Sequence, residues 1–554
     1  MCHGGRASRL LFLLLLLALV AGCGPAPLGV RADDGAAAAP TVESSPGEAP
    51  GTVPAAVASV APPTAPASSG VPSPVPTALP TVTPTAGRSV PIVPVVDFRS
   101  SLTSINRARI AAILAGTDAR FKKLELVERD AAGILAALHL DREAGRGRLV
   151  LASSARVLAS DLAAQASRLG ILRATEVGPA VRALGWGPRF LFGVDRVRSL
   201  ADWPLNASLG AAAGGFDPAQ TWTIVAGGDV MLDRGVYKAV KLDGKGVDFP
   251  FDGGTATITG RYCCSTMGWT LPRVRRVDTS PAVRRLLAGA DLALVNLEGP
   301  APTKARYHTS GTVFSFNQGL LAGLDRAGID WVSLANNHIG DAGSAGVLQT
   351  IRALDRLGIE HGGAGASTAA ARVPAIFTVG GTKVALLAYD SIAPGYAARA
   401  SRPGSARLSG GVVRTDIRRA RAAGADVVVV YPHWGVEYRT GPTAAQQKLA
   451  RGMIDAGADL VVGNHAHWAG TMEVYRGKPI WYSLGNFVFD QTWSEETEEG
   501  LVLEMTFTGS TLAQVTLRPT LILDGAQPNL LDPAGSGKVV LDRVFRASGK
   551  LLPW

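Results

Sequence analysis

The chain has 554 residues, which is too long for one compact core and predicts at least two folded units together with unfolded segments. Its formal net charge at pH 7 is +10, and most of that charge comes from arginines that are scattered and do not cluster with aromatic residues. This distribution argues against a nucleic-acid-binding protein, because such proteins concentrate basic residues on one face or stripe.

The amino terminus has the features of an export signal. Arg6 and Arg9 precede an apolar run at 10–20, and the run ends in the sequence LVAGC, which closes at Cys23. The run is too short for an ordinary membrane span, so residues 1–22 are predicted to be a cleaved signal peptide. The LVAGC ending resembles the bacterial lipobox, which implies lipidation of Cys23 and an anchor on the extracytoplasmic face of the cell membrane. Plain secretion with an incidental cysteine is the alternative.

Two segments separate this signal from the rest of the chain. Residues 23–94 consist mainly of Ala, Pro, Thr, Val, Ser and Gly, and they are predicted to form a disordered tether because they cannot bury enough apolar surface. Residues 95–215 alternate helical and strand-like patterns and are predicted to form a small α/β domain. The stretch 170–184 looks weakly like part of a periplasmic solute-binding domain, but a spacer or docking domain is the favoured interpretation.

A clearer alternation of strand-like and helical patterns begins at Thr221 and continues to about Phe507. This alternation predicts an α/β fold with a largely parallel sheet and helices on both faces. The predicted strands are 222–226, 292–295, 331–334, 384–388, 427–430 and 460–462. Antiparallel or edge strands are expected at 479–484, 501–507 and 511–523, the last interrupted by Pro519. In the segment 508–554, which we predict to hold C-terminal strands and a tail, residues 538–544 are a further candidate strand.

Five polar motifs stand where these strand-like runs stop. They are GGDVMLDRG at 227–235, VNLEGP at 295–300, LANNH at 334–338, YPHWG at 431–435 and GNHAH at 463–467. A buried strand holds its carboxyl end rigidly, so the side chains that follow can be directed into one crevice. Carboxylate oxygens, amide oxygens and neutral imidazoles suit Mn, Fe or Zn. The motifs therefore predict a site for one or two divalent metal ions.

The motifs supply six candidate metal ligands: Asp229, Glu298, Asn337, His433, His465 and His467. A helix N-cap is the alternative role for Asp229, and a solvated loop glutamate is the alternative for Glu298. His338, next to Asn337, can act as a general acid. Four of the eight histidines of the chain lie at these strand ends, which favours ligands over scattered core histidines.

Two further clusters of residues are open to more than one interpretation. Cys263 and Cys264 can close a vicinal disulfide or stay as free thiols in a loop. The acidic run at 495–499 can form a cation-rich rim, although a solvated loop is the favoured interpretation.

The motif series GDVML, NLEGP, ANNH, HWG, GNHAH and YSLGNFVFD resembles that of the capsule-synthesis CapA family, a branch of the calcineurin-like metallophosphoesterase fold. The resemblance covers residues 221–507 and follows the family order. It implies a four-layer α/β/β/α sandwich. It also implies a role in making, exporting or anchoring poly-γ-glutamate or a related anionic envelope polymer, with other capsule-synthesis proteins as further partners.

The same resemblance implies a division of the ligands between two metals. Asp229 and His467 would bind the first metal and Glu298 would bridge, while the second metal would take Asn337, His433 and His465. His338 would face the substrate.

The sequence departs from the general metallophosphoesterase pattern at two of these positions. Met231 stands where those enzymes have the histidine of Asp-x-His, and Glu298 stands where they have an aspartate. Asp233 is the candidate replacement for the missing ligand.

Two functional hypotheses remain open at this point, and the sequence does not decide whether the chain is an enzyme. The first is a metal-dependent hydrolase or transferase, in which Asn296 and Asn336 contact substrate and His338 protonates the leaving group. The second is a non-catalytic, lipid-anchored accessory protein that binds a polyanionic polymer through retained metal and through Lys304 and Arg306.

Overall fold

The structure is a computed structural model that describes residues 88–141, 145, 147–210 and 215–554. The predicted signal peptide, the predicted lipidation site Cys23 and residues 23–87 of the predicted tether lie outside this range. Within the described residues, no helix combines the length and the apolar character needed to cross a membrane.

The amino-terminal part, residues 88–209, is a small α/β arrangement around a six-stranded sheet with the order β4-β3-β5-β1-β6, in which β8 pairs with β1. Its strands are β1 (Arg88–Asp97), β2 (Ser104–Ile105), β3 (Lys123–Val127), β4 (Leu149–Ala152), β5 (Arg168–Arg173), β6 (Val181–Ala183), β7 (Gly185–Trp186) and β8 (Asn206–Leu209). Its helices are α1 (Arg107–Ala115), α2 (Glu128–Ala137) and α3 (Ala155–Ala164).

The folded chain begins earlier than the predicted end of the tether at residue 94. Strand β1 starts at Arg88 and contains Pro91 and Pro94, which are typical of linkers and sheet edges. Ile92 and Val93 between them are fully buried, and β1 pairs with β5, β6 and β8. Burial therefore outweighs the hydrogen bonds that the two prolines cannot donate.

The rest of the chain, residues 221–554, forms what we call the four-layer part. Its elements up to residue 371 are β9 (Thr221–Val230), α4 (Arg234–Tyr237), β10 (Thr255–Tyr262), β11 (Leu271–Asp278), α5 (Ala282–Ala288), β12 (Leu292–Leu297), α6 (Ala322–Arg326), β13 (Trp331–Ser333), α7 (Gly343–Leu357), β14 (Glu360–Gly362), β15 (Ala364–Gly365) and α8 (Thr368–Ala371).

The later elements of the four-layer part complete both of its large sheets. They are β16 (Ala375–Val379), β17 (Thr382–Asp390), β18 (Gly404–Ser405), α9 (Gly410–Ala422), β19 (Val427–His433), α10 (Ala444–Asp455), β20 (Leu460–Val462), β21 (Met472–Tyr475), β22 (Lys478–Trp481), β23 (Asn486–Val488), α11 (Glu495–Glu498), β24 (Glu499–Thr508), β25 (Thr511–Leu523), β26 (Gln527–Leu531) and α12 (Lys538–Ser548).

Two sheets form the middle of the four-layer part. A ten-stranded sheet has the order β11-β10-β26-β25-β24-β9-β12-β13-β14, with β23 beside β9. A six-stranded sheet has the order β16-β17-β19-β20-β22-β21. Strands β9, β12, β13 and β14 pair in parallel, as do β17, β19, β20 and β22, so their carboxyl ends meet along one edge of each sheet.

Three apolar cores hold the layers together. The central core joins the facing sides of the two sheets, and the outer cores join each sheet to its own helices. Representative members are Ile224 and Val429 in the central core, Leu286 and Leu354 between α5, α7 and the ten-stranded sheet, and Ile417 and Met453 between α9, α10 and the six-stranded sheet. The predicted α/β/β/α sandwich is therefore confirmed.

Three expectations for the carboxyl-terminal region differ from the structure. Residues 538–544 belong to helix α12 and not to a strand, because Val540, Leu541 and Val544 are buried at helical spacing. Pro519 does not interrupt β25, which runs unbroken over Thr511–Leu523. The expected boundary at 507 divides one sheet, since β25 and β26 continue the ten-stranded sheet from β24.

Candidate metal centre

The polar motifs converge where the carboxyl ends of the two sheets meet. Asp229 ends β9 and pairs in register with Asn296 on the neighbouring β12. His433 ends β19 in the opposite sheet, and it forms an isolated bridge with Asn464 of the loop after β20. Packing of the two sheets therefore brings side chains from four strands to one buried crevice.

The acidic side of the crevice comes from the ten-stranded sheet. Asp229 Oδ1 accepts a hydrogen bond from Asn296 Nδ2 at 2.8 Å, and Asp229 Oδ2 accepts one from the His465 main-chain N–H at 3.3 Å. Glu298 is completely buried, and neither of its carboxylate oxygens has a hydrogen-bond partner in the structure. His338 Nε2 and His467 Nε2 each lie 3.8 Å from Glu298 Oε1.

The histidine side comes from the six-stranded sheet and its loops. The rings of His433 and His465 are 4.8 Å apart, and those of His465 and His467 are 6.0 Å apart, measured between centroids. His433 Nε2 lies 2.7 Å from Asn337 Oδ1. His467 Nδ1 lies 2.9 Å from Asn486 Oδ1 and 3.5 Å from Asp229 Oδ2. All six predicted ligands thus lie in one cluster.

The ionisable groups of the cluster are strongly influenced by burial. Burial lowers the pKa of His433 well below its ordinary value and lowers the pKa of His465 to about 3, so both rings are neutral. Burial, reinforced by the charge of Asp229, raises the pKa of Glu298 well above its ordinary value. Burial also opposes charge on His467, but Glu298 and Asp229 outweigh it and raise the pKa of that ring to about 9. Glu298 and Asp229 therefore stabilise positive charge on His467, but not on His433 or His465.

These residues fit a divalent cation. Leaving buried polar atoms without partners costs about 1–3 kcal/mol each, more for charged groups, and Glu298 Oε1, Glu298 Oε2 and His465 Nδ1 are all in that condition. Two groups of side chains have ligand atoms within 4.8 Å of one another, namely Asp229 with Glu298 and His433, and Glu437 with His465 and His467. Neutral imidazoles and carboxylates are the donors that Mn, Fe and Zn accept.

The grouping does not decide the division of ligands that the family resemblance implies, since His467 Nδ1 also lies 3.5 Å from Asp229 Oδ2 and His467 Nε2 lies 3.8 Å from Glu298 Oε1. Ligand atoms of His465 lie close to those of His467 and Glu437, whereas ligand atoms of Asp229 lie close to those of Glu298 and His433. Glu437, which lies just after the HWG motif, is a residue that sequence reasoning missed. The signal that could have found it is the acidic residue four positions after a predicted ligand, His433, on the same loop.

Asp233 does not replace the ligand missing at Met231. Its carboxylate accepts hydrogen bonds from the Arg234 and His308 main-chain N–H groups at 2.8 and 3.2 Å, and from the Ser315 N–H at 2.9 Å. The His308 ring adds a contact of 2.5 Å from Nδ1. Asp233 is also the N-cap of α4, so its lone pairs are used within the fold. The expectation for this residue is wrong.

Asn296 and Asn336 are predicted to contact substrate, but the structure buries both completely. Asn296 Nδ2 donates to Asp229, and Asn336 Nδ2 donates to the Leu297 carbonyl at 2.8 Å and faces Asn296 Oδ1 at 3.3 Å. The two amides therefore orient the ligands, and they are not open to a substrate.

His338 lies at the edge of the cluster, with 12% of its side chain exposed. Its Nδ1 lies 2.9 Å from Asp341 Oδ2, which fixes the ring and directs Nε2 towards Glu298. The Phe314 ring covers it at 4.1 Å between centroids. The His338 ring is thus held in one orientation and is partly accessible, and the predicted role as a general acid requires both properties.

Lys304 and Arg306 are exposed and lie on the long segment between β12 and β13. That segment is tied to the site region through His308 and Ser315, which bind Asp233. Lys304 and Arg306 therefore lie on a segment that is attached to the site region. They are not metal ligands in the crevice.

An aromatic rim on the side of His467 is a second feature that the sequence did not reveal. The Tyr438 ring is 6.1 Å from His467 and 6.2 Å from both Trp468 and Trp493, and Trp269 lies 6.5 Å from Tyr438. Trp269 belongs to the loop between β10 and β11 and is 39% exposed. The rim narrows the approach to the cluster.

The two clusters that the sequence left open lie close to this rim. Cys263 and Cys264 form a vicinal disulfide in the exposed loop between β10 and β11. The acidic run is neither a solvated loop nor a cation rim, because Glu495 pairs with Arg261 and Glu499 pairs with Arg543. Both glutamates are buried, so these pairs attach the run to the body of the fold.

Comparison with known proteins gives a consistent result. The model of the family described as bacterial capsule synthesis protein PGA_cap matches residues 223–491. The capsule biosynthesis protein CapA of Bacillus anthracis is 38% identical over 183 residues, which is 32% of this chain and 44% of that protein. The PGA biosynthesis protein CapA of Bacillus subtilis is 34% identical over 224 residues, or 40% and 59% of the two chains. The chain thus spans about half the length of these two relatives.

A third relative is covered more completely. The probable polyglutamine synthesis accessory protein of Mycobacterium tuberculosis is 31% identical over 293 residues, which is 48% of this chain and 74% of that protein. The segment 223–491 that the family model matches contains every residue of the candidate metal centre described above.

Proposed function

The chain belongs to the bacterial capsule synthesis protein PGA_cap family, and from this premise we propose that it acts on an anionic envelope polymer of the poly-γ-glutamate type. The proposed activity is that of a metal-dependent hydrolase or transferase. The proposed location is the extracytoplasmic face of the cell membrane, with a lipid on Cys23 as the anchor, residues 23–87 as the tether and the amino-terminal part as a spacer or docking domain.

The observation that carries the proposal is the buried, unpartnered Glu298 among three imidazoles. Asp229, Glu298 and His433 would hold one divalent cation, and His465 and His467 would contribute to a second. When bound, the cation supplies Lewis acidity and attraction for anionic groups of a substrate. Asn296 and Asn336 keep the ligands oriented through their hydrogen bonds.

His338 is the residue that would move a proton. Asp341 holds the ring through Nδ1, so a proton on Nε2 is directed at the edge of the cluster, where a leaving group would lie. The Phe314 ring packs against the His338 ring at 4.1 Å between centroids and adds to its fixed orientation. A correctly placed general acid typically contributes about 10²–10⁴-fold to a rate.

The second candidate is a non-catalytic accessory role, in which the same cation and exposed basic residues bind the polymer without turning it over. It is supported by the exposure of Lys304 and Arg306. It is also supported by the word accessory in the name of the Mycobacterium tuberculosis relative. Charge attraction of this kind needs no proton transfer, so the two candidates differ in their dependence on His338.

One set of measurements separates the candidates. Metal content of the purified full-length protein is measured first, followed by turnover of a generic phosphoester and by the chain length of poly-γ-glutamate after incubation. An enzyme is expected to shorten the polymer or release product, and His338→Ala should reduce that rate by at least about 100-fold without removing metal. Polymer binding without turnover supports the accessory role.

The matched variants are His465→Ala and Lys304→Ala. His465→Ala is expected to lose bound metal, because it removes a buried imidazole from the cluster. Lys304→Ala is expected to keep the metal and to weaken only polymer binding. Equal metal content in the His465 variant and the parent would overturn the proposed centre.

A further inference from the structure

We propose that Glu437 is a metal ligand and that it completes a second cation site with His465 and His467. This inference rests on the proposed metal centre and adds a ligand to it. It assigns a function to an acidic side chain on the loop after β19.

The distances between the three side chains suit one cation. Ligand atoms of Glu437, His465 and His467 lie within 4.8 Å of one another. Ligands at about 2.0–2.2 Å from a zinc-sized cation are separated by roughly 3–4 Å in tetrahedral geometry, so only small side-chain rotations are required. His465 is 4% exposed and its buried Nδ1 has no hydrogen-bond partner, so this nitrogen is not used within the fold.

The main chain holds Glu437 beside the two histidines. The Tyr438 N–H donates to the Ala466 carbonyl at 2.8 Å, and the Thr471 N–H donates to the Thr440 carbonyl at 2.8 Å. The loop after β19 is thereby attached on both sides of His467 to the loop after β20. Glu437 is thus carried by a segment whose position is set by the histidine loop itself.

The backbone around the three donors is strained in a way that packing must impose. Tyr438, His465 and His467 have φ angles of 59°, 93° and 57°, which lie in the left-handed region that residues with a Cβ seldom adopt. Each such residue costs of order 1–3 kcal/mol, and such costs are concentrated at functional sites. Strained residues therefore lie on both the loop after β19 and the loop after β20. This indicates that the position of one loop relative to the other is important for function.

The other candidate donors that the sequence offers are already used within the fold or in the other group. Met231 is fully buried, and its Sδ accepts the Asp233 N–H at 3.0 Å. The Asp233 carboxylate is occupied by the donors of the loop that contains His308. Asp229, Glu298 and His433 form the other group. Glu437 is therefore the carboxylate that groups with both His465 and His467. Asp229 and Glu298 also lie 3.5 and 3.8 Å from His467, on the side of the other group.

The three ligands Glu437, His465 and His467 indicate which metals the second site can bind. Two imidazoles and one carboxylate are the protein donors of catalytic zinc sites and of 2-His-1-carboxylate iron sites. Glu437 is the exposed member of the three, so this cation would face the entrance of the crevice. We expect it to be the more weakly bound and more exchangeable of the two.

The test compares Glu437→Gln with Glu360→Gln, a matched exchange of an exposed glutamate on β14. Each full-length protein is loaded with Mn²⁺ or Zn²⁺, and stoichiometry and affinity are measured by titration calorimetry and elemental analysis. The parent and Glu360→Gln are expected to bind two ions per chain. Glu437→Gln is expected to bind one ion, or to bind the second at least about 10-fold more weakly. Circular dichroism checks that each variant is folded.

A second variant distinguishes ligation from a general change of charge. Glu437→Asp keeps the carboxylate on a shorter side chain, so it is expected to bind the second ion better than Glu437→Gln and worse than the parent. Two ions bound with parental affinity by Glu437→Gln would overturn the inference and leave the proposed function intact. A parent protein that binds no divalent cation would overturn both.

Discussion

The ion pairs of the amino-terminal part and the metal cluster of the four-layer part treat a buried carboxylate differently. In residues 88–209, Asp130 accepts hydrogen bonds from Arg173 Nε at 2.8 Å, and Glu125 accepts one from Arg168 Nη1 at 2.8 Å. In the four-layer part, Glu298 is equally buried but has no hydrogen-bond partner. Because an unpaired buried charge is costly, the paired groups complete a fold, whereas the unpaired one indicates a position for a ligand.

Breaking the buried Asp130–Arg173 ion pair is expected to cause the largest loss of stability. Asp130→Ala leaves the Arg173 guanidinium buried, with 4% of its side chain exposed, and without its carboxylate. Removing one partner of a buried ion pair costs about 3–5 kcal/mol in the free energy of unfolding. Urea unfolding followed by circular dichroism measures this loss.

The control for Asp130→Ala is Lys538→Ala, which breaks the exposed Lys538–Asp542 pair on α12, with 62% and 39% of the two side chains exposed. It is expected to cost less than about 1 kcal/mol, because exposed ion pairs contribute little. A similar loss of unfolding free energy in both variants would mean that burial does not determine how much these ion pairs stabilise the protein.

Changing the unpaired carboxylate is expected to have an intermediate effect that depends on metal. Glu298→Gln breaks no hydrogen bond, so the free energy of unfolding of the metal-free protein should change by less than about 1 kcal/mol. A cation at 100 times its dissociation constant stabilises the parent by about 2.7 kcal/mol, and the variant should lose that stabilisation. Thermal unfolding with and without Mn²⁺ measures both quantities. A large loss in the chelated protein would show that Glu298 contributes to the fold itself.

The smallest effect is expected at Glu498, a carboxyl of the four-layer part that lies outside the metal cluster. Burial, with a smaller contribution from the charge of Glu495, raises its pKa to about 7, against about 4.3 in an unfolded chain. The folded protein therefore binds a proton more tightly than the unfolded one. Stability from this group is present below about pH 4.5 and is lost as the pH rises to 7 and beyond.

The corresponding variant is Glu498→Gln, which mimics the protonated carboxyl. In the presence of a chelator, the parent should lose about 1–2 kcal/mol between pH 5 and pH 8 relative to this variant, a range reduced to allow for partial solvent exposure. Urea unfolding at several pH values provides the comparison. Parallel curves for the two proteins would show that burial does not perturb this carboxyl.

Much of the fold and most of the site residues were predictable from the sequence. Apolar runs of strand length, each followed by glycine and polar residues, located the strands that end at Asp229, Glu298 and His433. The four-layer arrangement followed from the motif series and is confirmed by the three cores. Errors arose in the proline-containing β1, where burial outweighs composition, and in the helix α12, whose helical spacing of apolar residues was interpreted as a strand.

The sequence by itself determined which residue types stand at the strand ends, because alternation of apolar runs and polar motifs is a local property of the chain. Only the tertiary structure decided the pairing of Asp233 with the His308 loop and the internal use of Asn296. It also decided that Glu437 meets His465 and His467. The last of these outcomes depends on how the loops after β19 and β20, which contain residues in left-handed backbone conformations, pack where the sheets meet. All three are contacts between segments distant in the chain, which local patterns do not determine.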